Sequence, residues 1–237
     1  MARERKEQEQ DEPRARPYVY ASWPTKAIAK EVRCAFQLWF KAHYAYKKTA
    51  NERCKACTEG RVPCDDPEVC RADFFKKFNE KHDALVADRV ERLQAEGWTV
   101  RTEDEAKFSM KGKLGDMTGK PDIVAMRGDE ALVIDAKSGN PRESDHWQVL
   151  IYILALPRTW LRGFKTIRGQ VEYTNGSVPV RPLGDKERAR IGEVVRTAME
   201  PTPPEPTPSL KDCRYCDIAS CDARYDAEHT GDAGGLF

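Results

Sequence analysis

The run Gly119-Lys-Pro-Asp122-Ile-Val-Ala-Met-Arg-Gly-Asp-Glu130-Ala-Leu-Val-Ile-Asp135-Ala-Lys137 decides how the rest of the chain is read. Ile123–Met126 and Ala131–Ile134 are short apolar runs joined by Arg127-Gly-Asp-Glu130, a turn signal between two strands. An Asp opens the first strand and an Asp-x-Lys closes the second, 135 − 122 = 13 residues later. Side chains alternate along a strand, so Asp135 and Lys137 share a face. If the strands pair as a hairpin, Asp122 comes to lie beside Asp135. Two adjacent carboxylates repel unless a cation neutralises them, and hard divalent ions such as Mg²⁺ or Mn²⁺ prefer oxygen ligands. A lysine within reach can orient or deprotonate a water and hold charge developing on a phosphate. An Asp pair alone is more simply an edge hairpin with solvated charges. Three charges at the end of an otherwise apolar hairpin are hard to explain as packing.

Outward from this run, Ser138-Gly-Asn-Pro141 ends the second strand, and a helix is expected from about Glu143 to Leu156, stopping at Pro157. Gln148 and Tyr152 stand at i and i+4 on it, hence on one face. Upstream, Phe74, Phe78, Leu85, Val86, Val90 and Leu93 form a helical stripe closed by Gly97, with His82 on the same stripe. A histidine in that setting is, taken alone, more often a core residue than a ligand.

These elements resemble the PD-(D/E)XK nucleases: Pro121-Asp122 and Asp135-Ala-Lys137 match the signature that names the family. Gln148 and Tyr152 look like the QxxxY motif of its RecB-type branch, whose side chains contact DNA and the active site. His82 sits where that branch places a metal-binding histidine. The resemblance implies an α/β fold with a restriction-endonuclease-like core, a mixed central sheet flanked by helices and a cysteine-tethered helical N-terminal part. It also implies that His82, Asp122, Asp135 and the carbonyl of Ala136 hold Mg²⁺ or Mn²⁺, that Lys137 positions or activates the attacking water, and that Gln148 and Tyr152 orient the strand.

The cysteines make a separate argument. Cys213, Cys216 and Cys221 follow a five-proline connector at Pro201–Pro208, and three thiols so spaced call for a fourth ligand. RecB-like nucleases with an iron–sulfur clasp, the CRISPR-associated exonucleases of the fourth Cas family among them, take one cysteine from an early helix and three from the C-terminus. The resemblance thus assigns a [4Fe-4S] cluster to Cys34, Cys213, Cys216 and Cys221, although four residues rather than the usual five separate Cys216 from Cys221. Cys54, Cys57, Cys64 and Cys70 suffice for a structural zinc knuckle in an insertion at 51–70. In a rival partition, one of these four replaces Cys34 in the cluster. The charged start, Met1 to Pro17, has no apolar h-region of a secretory signal, so the chain is read as cytosolic. In that reducing compartment, clustered cysteines point to metal ligation rather than disulfides.

A formal net charge of +1 excludes a uniformly basic coat for DNA, so binding must rest on local patches. The segment Pro24–Lys48, read as one helix, carries six cations with Phe36, Trp39, Phe40, Tyr44 and Tyr46. Interleaved this way, the aromatics either stack the bases of a single strand or pack inward. No apolar run reaches the roughly 18–20 residues of a membrane span. Residues 1–17 are mostly charged and read as a disordered tail, 18–225 as one nuclease domain, and 226–237 as a flexible tail.

The expected function is a metal-dependent deoxyribonuclease, an exonuclease acting on single-stranded DNA ends in DNA processing, repair or CRISPR adaptation, the last an antiviral defence. Two alternatives stand beside it: a non-catalytic iron–sulfur or zinc DNA-binding protein, and a nuclease subunit active only with protein partners in a larger complex.

Overall fold

The computed structural model describes residues 11–45, 67–214, 216–218 and 220–225, with the side chains of the long helix described from residue 76 onward. The quoted run folds as a hairpin of β7 (Ile123–Arg127) and β8 (Glu130–Lys137). Its two-residue loop is closed by Gly128 at φ 60, a conformation that glycine adopts without steric cost. The hairpin is the centre of a five-stranded sheet ordered β10 (Gly176–Pro179), β9 (Thr166–Tyr173), β8, β7, β4 (Thr99–Thr102). Only β8 and β9 run parallel, so the sheet is mixed. A parallel pair needs a crossover, and α5 (Glu143–Ala155) supplies it.

Alternation along the hairpin sorts its side chains onto two helical layers. Val124, Ala131 and Val133 pack with Val149, Leu150 and Val171 under α5. Ile123, Ala125, Leu132 and Ile134 pack on the opposite face with Trp98 and with Leu93 of α3 (Pro67–Ala95). Fully burying each such branched side chain contributes about 1.5–3 kcal/mol, which fixes the register. The α/β reading with a mixed sheet flanked by helices is thus the observed architecture.

A second sheet orders β2 (Tyr18–Tyr20), β6 (Asp116–Gly119) and β5 (Phe108–Lys111), and delivers the chain to Asp122. Gly119 is required there: a Cβ would come within 2.6 Å of the Phe108 ring and 2.9 Å of Ala21. The remaining elements are β1 (Glu12–Pro13), α1 (Thr25–Ile28), α2 (Ala35–His43), β3 (Tyr44–Ala45), α4 (Glu103–Ala106), α6 (Asp185–Met199) and α7 (Leu210–Arg214).

Three expectations need correction, and the open choice for the α2 aromatics is resolved toward inward packing. The single helix over Pro24–Lys48 is two short helices, α1 and α2. Lys30 turns into the left-handed region at φ 59. The break frees Glu31 to accept hydrogen bonds from Ser144 N and Oγ, both at 3.0 Å, at the start of α5. Trp39 and Phe40, 6% and 9% exposed, pack inward against Ile218, so they offer no base-stacking surface. The disordered tail does not extend over residues 11–17, because Glu12–Pro13 pairs with Tyr44–Ala45. Finally, α3 begins at Pro67 and takes in Cys70, where the sequence reading placed an insertion; Phe78 of the expected apolar stripe is 43% exposed, because only the C-terminal half of α3 lies on the sheet. Residues 1–10, 46–66 and 226–237 lie outside the described residues.

Candidate functional site

The register of the hairpin pairs Ile123 with Ile134, and one step further sets Asp122 opposite Asp135. Asp135 is 1% exposed, whereas Asp122 and Lys137 are half-buried. Asp122 Oδ2 accepts a hydrogen bond from Ala136 N at 2.7 Å, which ties the two strand ends together through the first carboxylate. His82, midway along α3, reaches the same oxygen with Nε2 at 3.3 Å. Lys137 Nζ ion-pairs with Asp135 Oδ2.

Gln148 binds this cluster from the facing helix. Its Nε2 donates to Asp135 Oδ1 and to the Tyr152 hydroxyl, each at 2.8 Å, and its Oε1 accepts from Lys137 Nζ at 3.2 Å. The Tyr152 hydroxyl in turn donates to Lys120 O at 3.2 Å. Tyr152 is 1% exposed, so it holds Gln148 from beneath.

The electrostatics follow from burial and pairing. The hydrogen bond to Asp122 raises His82 to about 9 against the cost of its burial. Burial pushes Asp135 up to about 7, with Lys137 pulling the other way and Asp122 adding to the rise. Burial works against the charge of Lys137, yet the Asp135 carboxylate beside it leaves its pKa raised, and it stands as an ammonium. Each acid thus faces a basic side chain of the chain itself. Among the described residues, no three His, Cys, Asp or Glu side chains stand arranged as a ready-made metal site.

Sequence reasoning missed Lys120 and Glu103. Lys120 Nζ bonds Glu103 Oε2 at 2.7 Å, and Glu103 N bonds Asp122 O at 3.2 Å. Glu103 is held at φ 40, a conformation that costs a non-glycine residue about 1–3 kcal/mol. Lys120 lies inside the quoted run, but nothing local in sequence marks Glu103 as its partner.

The C-terminal cysteines and Cys34 lie apart from the acids and, like them, do not stand as a ready-made metal site among the described residues. Cys34, Cys213, Cys216 and Cys221 all line one cavity of about 20 Å³. Burial raises the Cys221 thiol, and the nearby Cys216, Cys34 and Cys213 add to the rise. Arg224 ties the loop by donating to the carbonyls of Cys213, Cys216 and Ile218. Cys54, Cys57 and Cys64 lie outside the described residues, as does the Cys70 side chain.

The profile of one protein family, described as the PD-(D/E)XK nuclease superfamily, matches residues 35–221. No curated protein matches the chain. Among solved structures, a chain described as "Crystal structure of SSO0001" superposes with a TM-score of 0.48 at 14% identity, covering 90% of each chain.

Proposed function

Because the chain belongs to the PD-(D/E)XK nuclease superfamily, we propose that it is a RecB-like exonuclease that trims single-stranded DNA ends with Mg²⁺ or Mn²⁺. Membership itself implies a metal-dependent nuclease that hydrolyses phosphodiester bonds in DNA. The observation that supports the finer reading is the pair of hydrogen-bonded arrays, His82–Asp122–Ala136 N and Lys137–Asp135–Gln148–Tyr152, which meet through the Asp135–Ala136 backbone at one end of the hairpin.

The donor set suits the ion: carboxylates of Asp122 and Asp135, the carbonyl of Ala136 and the His82 imidazole offer mainly hard oxygen ligands. The bound ion would supply Lewis-acid polarisation of the phosphate and a more acidic water. Asp135, nearly inaccessible, is aimed by Gln148. Lys137 donates from the same face and balances negative charge as water adds to phosphorus and the sugar oxygen leaves. Tyr152 fixes Gln148 without meeting substrate. Incubating the purified chain with labelled single- and double-stranded DNA, with and without Mn²⁺, tests this. Metal-dependent loss of single strands from their ends is expected, with none in Asp122→Ala; degradation by that variant, or none by the parent protein, refutes it.

The proposal extends to the cysteines. Cys34, Cys213, Cys216 and Cys221 would hold a [4Fe-4S] cluster, supported by their convergence on one cavity. A staple between residue 34 and residues 213–221 would close most of the chain into one loop, so its role would be structural. Absorption near about 400 nm, expected for thiolate-bound iron–sulfur chemistry, tests it. Cys54, Cys57, Cys64 and Cys70 are proposed as a zinc knuckle. Residues 18–225 would form one nuclease domain, acting in the cytoplasm alone or within a DNA-processing or CRISPR adaptation complex. Among the described residues, no helix is long and apolar enough to cross a membrane.

A further inference from the structure

We infer that Tyr18, Tyr20 and Trp23 form a base-stacking platform that leads a single DNA strand from the acidic cluster into a basic groove lined by Lys26, Arg142 and Lys211. The direction of the strand rests on the nuclease reading above; the binding surface itself does not.

The platform arises from strand alternation. In β2, Val19 is fully buried, so Tyr18 and Tyr20 emerge together on the other face, both half-buried. The chain then turns, with Trp23 N donating to Tyr20 O at 2.8 Å, and the indole swings back over both rings. Its centroid lies 5.2 Å from Tyr18 and 6.5 Å from Tyr20, in tilted arrangements. Trp23 is half-buried as well, so the cluster faces solvent at a surface of the fold.

Two observations join the platform to the acids and to the groove. Tyr20 pairs with Thr118, two residues before Lys120, and Lys120, Asp122 and Asp135 all lie near enough for their charges to act on its phenol. On the other side, Trp23 lines a groove of about 720 Å³ together with Lys26, Arg142 and Lys211. All three cations are exposed, and among the described residues none has a carboxylate partner. The acids of the groove are turned elsewhere: Glu31 binds Ser144, and Asp212 accepts from Arg33 N at 3.2 Å. Free cations beside partly exposed aromatic rings suit phosphates and exposed bases together, and Arg14, 4.5 Å over the Tyr18 ring, sets a further cation against the platform. A duplex, whose bases are already stacked, has no use for the rings.

The test is fluorescence anisotropy of the full chain in buffer without divalent metal, using a short labelled oligothymidylate and a labelled blunt hairpin duplex. Trp23→Ala should weaken oligothymidylate binding about tenfold, with Trp23→Phe restoring most of it. The double variant Lys26→Ala/Lys211→Ala, whose side chains are exposed and leave the core untouched, should lower the slope of log affinity against log salt by about 1.4. Trp23→Ala should leave duplex binding unmoved. Unchanged oligothymidylate affinity and salt slope in the lysine double variant overturn the inference, as does an equal loss for the duplex in Trp23→Ala. The two proposals fail separately. Cleavage with Mn²⁺ but unchanged binding in these variants removes the platform alone. Platform-dependent binding without cleavage removes the nuclease reading alone.

Discussion

Replacing Gln148 by alanine is the most informative single perturbation of the acidic cluster, because this side chain is where three others meet. Its amide nitrogen donates to Asp135 and Tyr152 at 2.8 Å each, and its oxygen takes Lys137 at 3.2 Å. A hydrogen bond to a charged group is worth about 1.5–3 kcal/mol net. Gln148→Ala removes one such bond to Asp135 outright. Lys137, losing its bond to the amide oxygen, keeps its ion pair with Asp135, and Tyr152 keeps its own donation to Lys120 O, so the net loss is close to one bond. A loss of about 2 kcal/mol of folding stability is expected, about 4–8 °C in Tm for a chain of this size. If the same positioning energy is expressed in the transition state, kcat falls about thirtyfold at little cost in KM. Urea unfolding and the Mn²⁺-dependent cleavage rate of labelled single strands, measured on the same preparation, separate the two effects. Wild-type kcat in a variant destabilised by this amount would refute the positioning argument and leave Gln148 a packing residue. Gln148→Glu sharpens the comparison, since it keeps the chain length but sets a third negative charge beside Asp135 and restores no activity.

Lys137→Ala should abolish cleavage while far-ultraviolet circular dichroism and iron content stay as in the parent protein; residual cutting above about 1% would contradict its role in holding transition-state charge. Glu172, 1% exposed, is held by Arg92 at 3.0 Å and Arg89 at 3.4 Å on the face away from the acids. Glu172→Ala leaves Arg89, 11% exposed, with only the neutral Gln170 and Arg92 with only the exposed Asp88. It should cost about 3 kcal/mol in urea unfolding, the low end for a buried pair because Arg92 is itself half exposed and keeps that second partner. Gly119→Ala drives a methyl into Phe108 and Ala21, and should destabilise by about 1–3 kcal/mol and shift the Lys120–Asp122 segment, read as a joint fall in Tm and cleavage rate. Cys34→Ala should lower both the iron content and the Tm of the purified chain; an unchanged iron content would favour a ligand from the 54–70 cysteines.

The boundary between what was legible in the chain and what was not follows the range of the forces involved. The separation of Asp122 and Asp135, a two-residue turn with glycine in it, and the period of two in β8 were enough to set both carboxylates and Lys137 at one strand end on one face, because each is a matter of local backbone geometry. The i,i+4 spacing of Gln148 and Tyr152 likewise foretold that the two would meet, and they do at 2.8 Å.

Tertiary packing decided the rest. Which face of α2 turns inward depends on partners such as Ile218 and Ala198, far along the chain, so the same periodic aromatics were equally compatible with stacking bases. The break at Lys30 is stabilised by a carboxylate that caps a helix 113 residues away, and no local propensity records it. The convergence of Cys34 with Cys213, Cys216 and Cys221, and the pairing of Glu103 with Lys120, are also contacts across sequence distance. By itself, then, the sequence determined which groups share a strand end or a helix face, since bond geometry enforces that within a few residues. Only the folded chain decided which of those faces would be buried, because that choice minimises exposed apolar area over all elements at once.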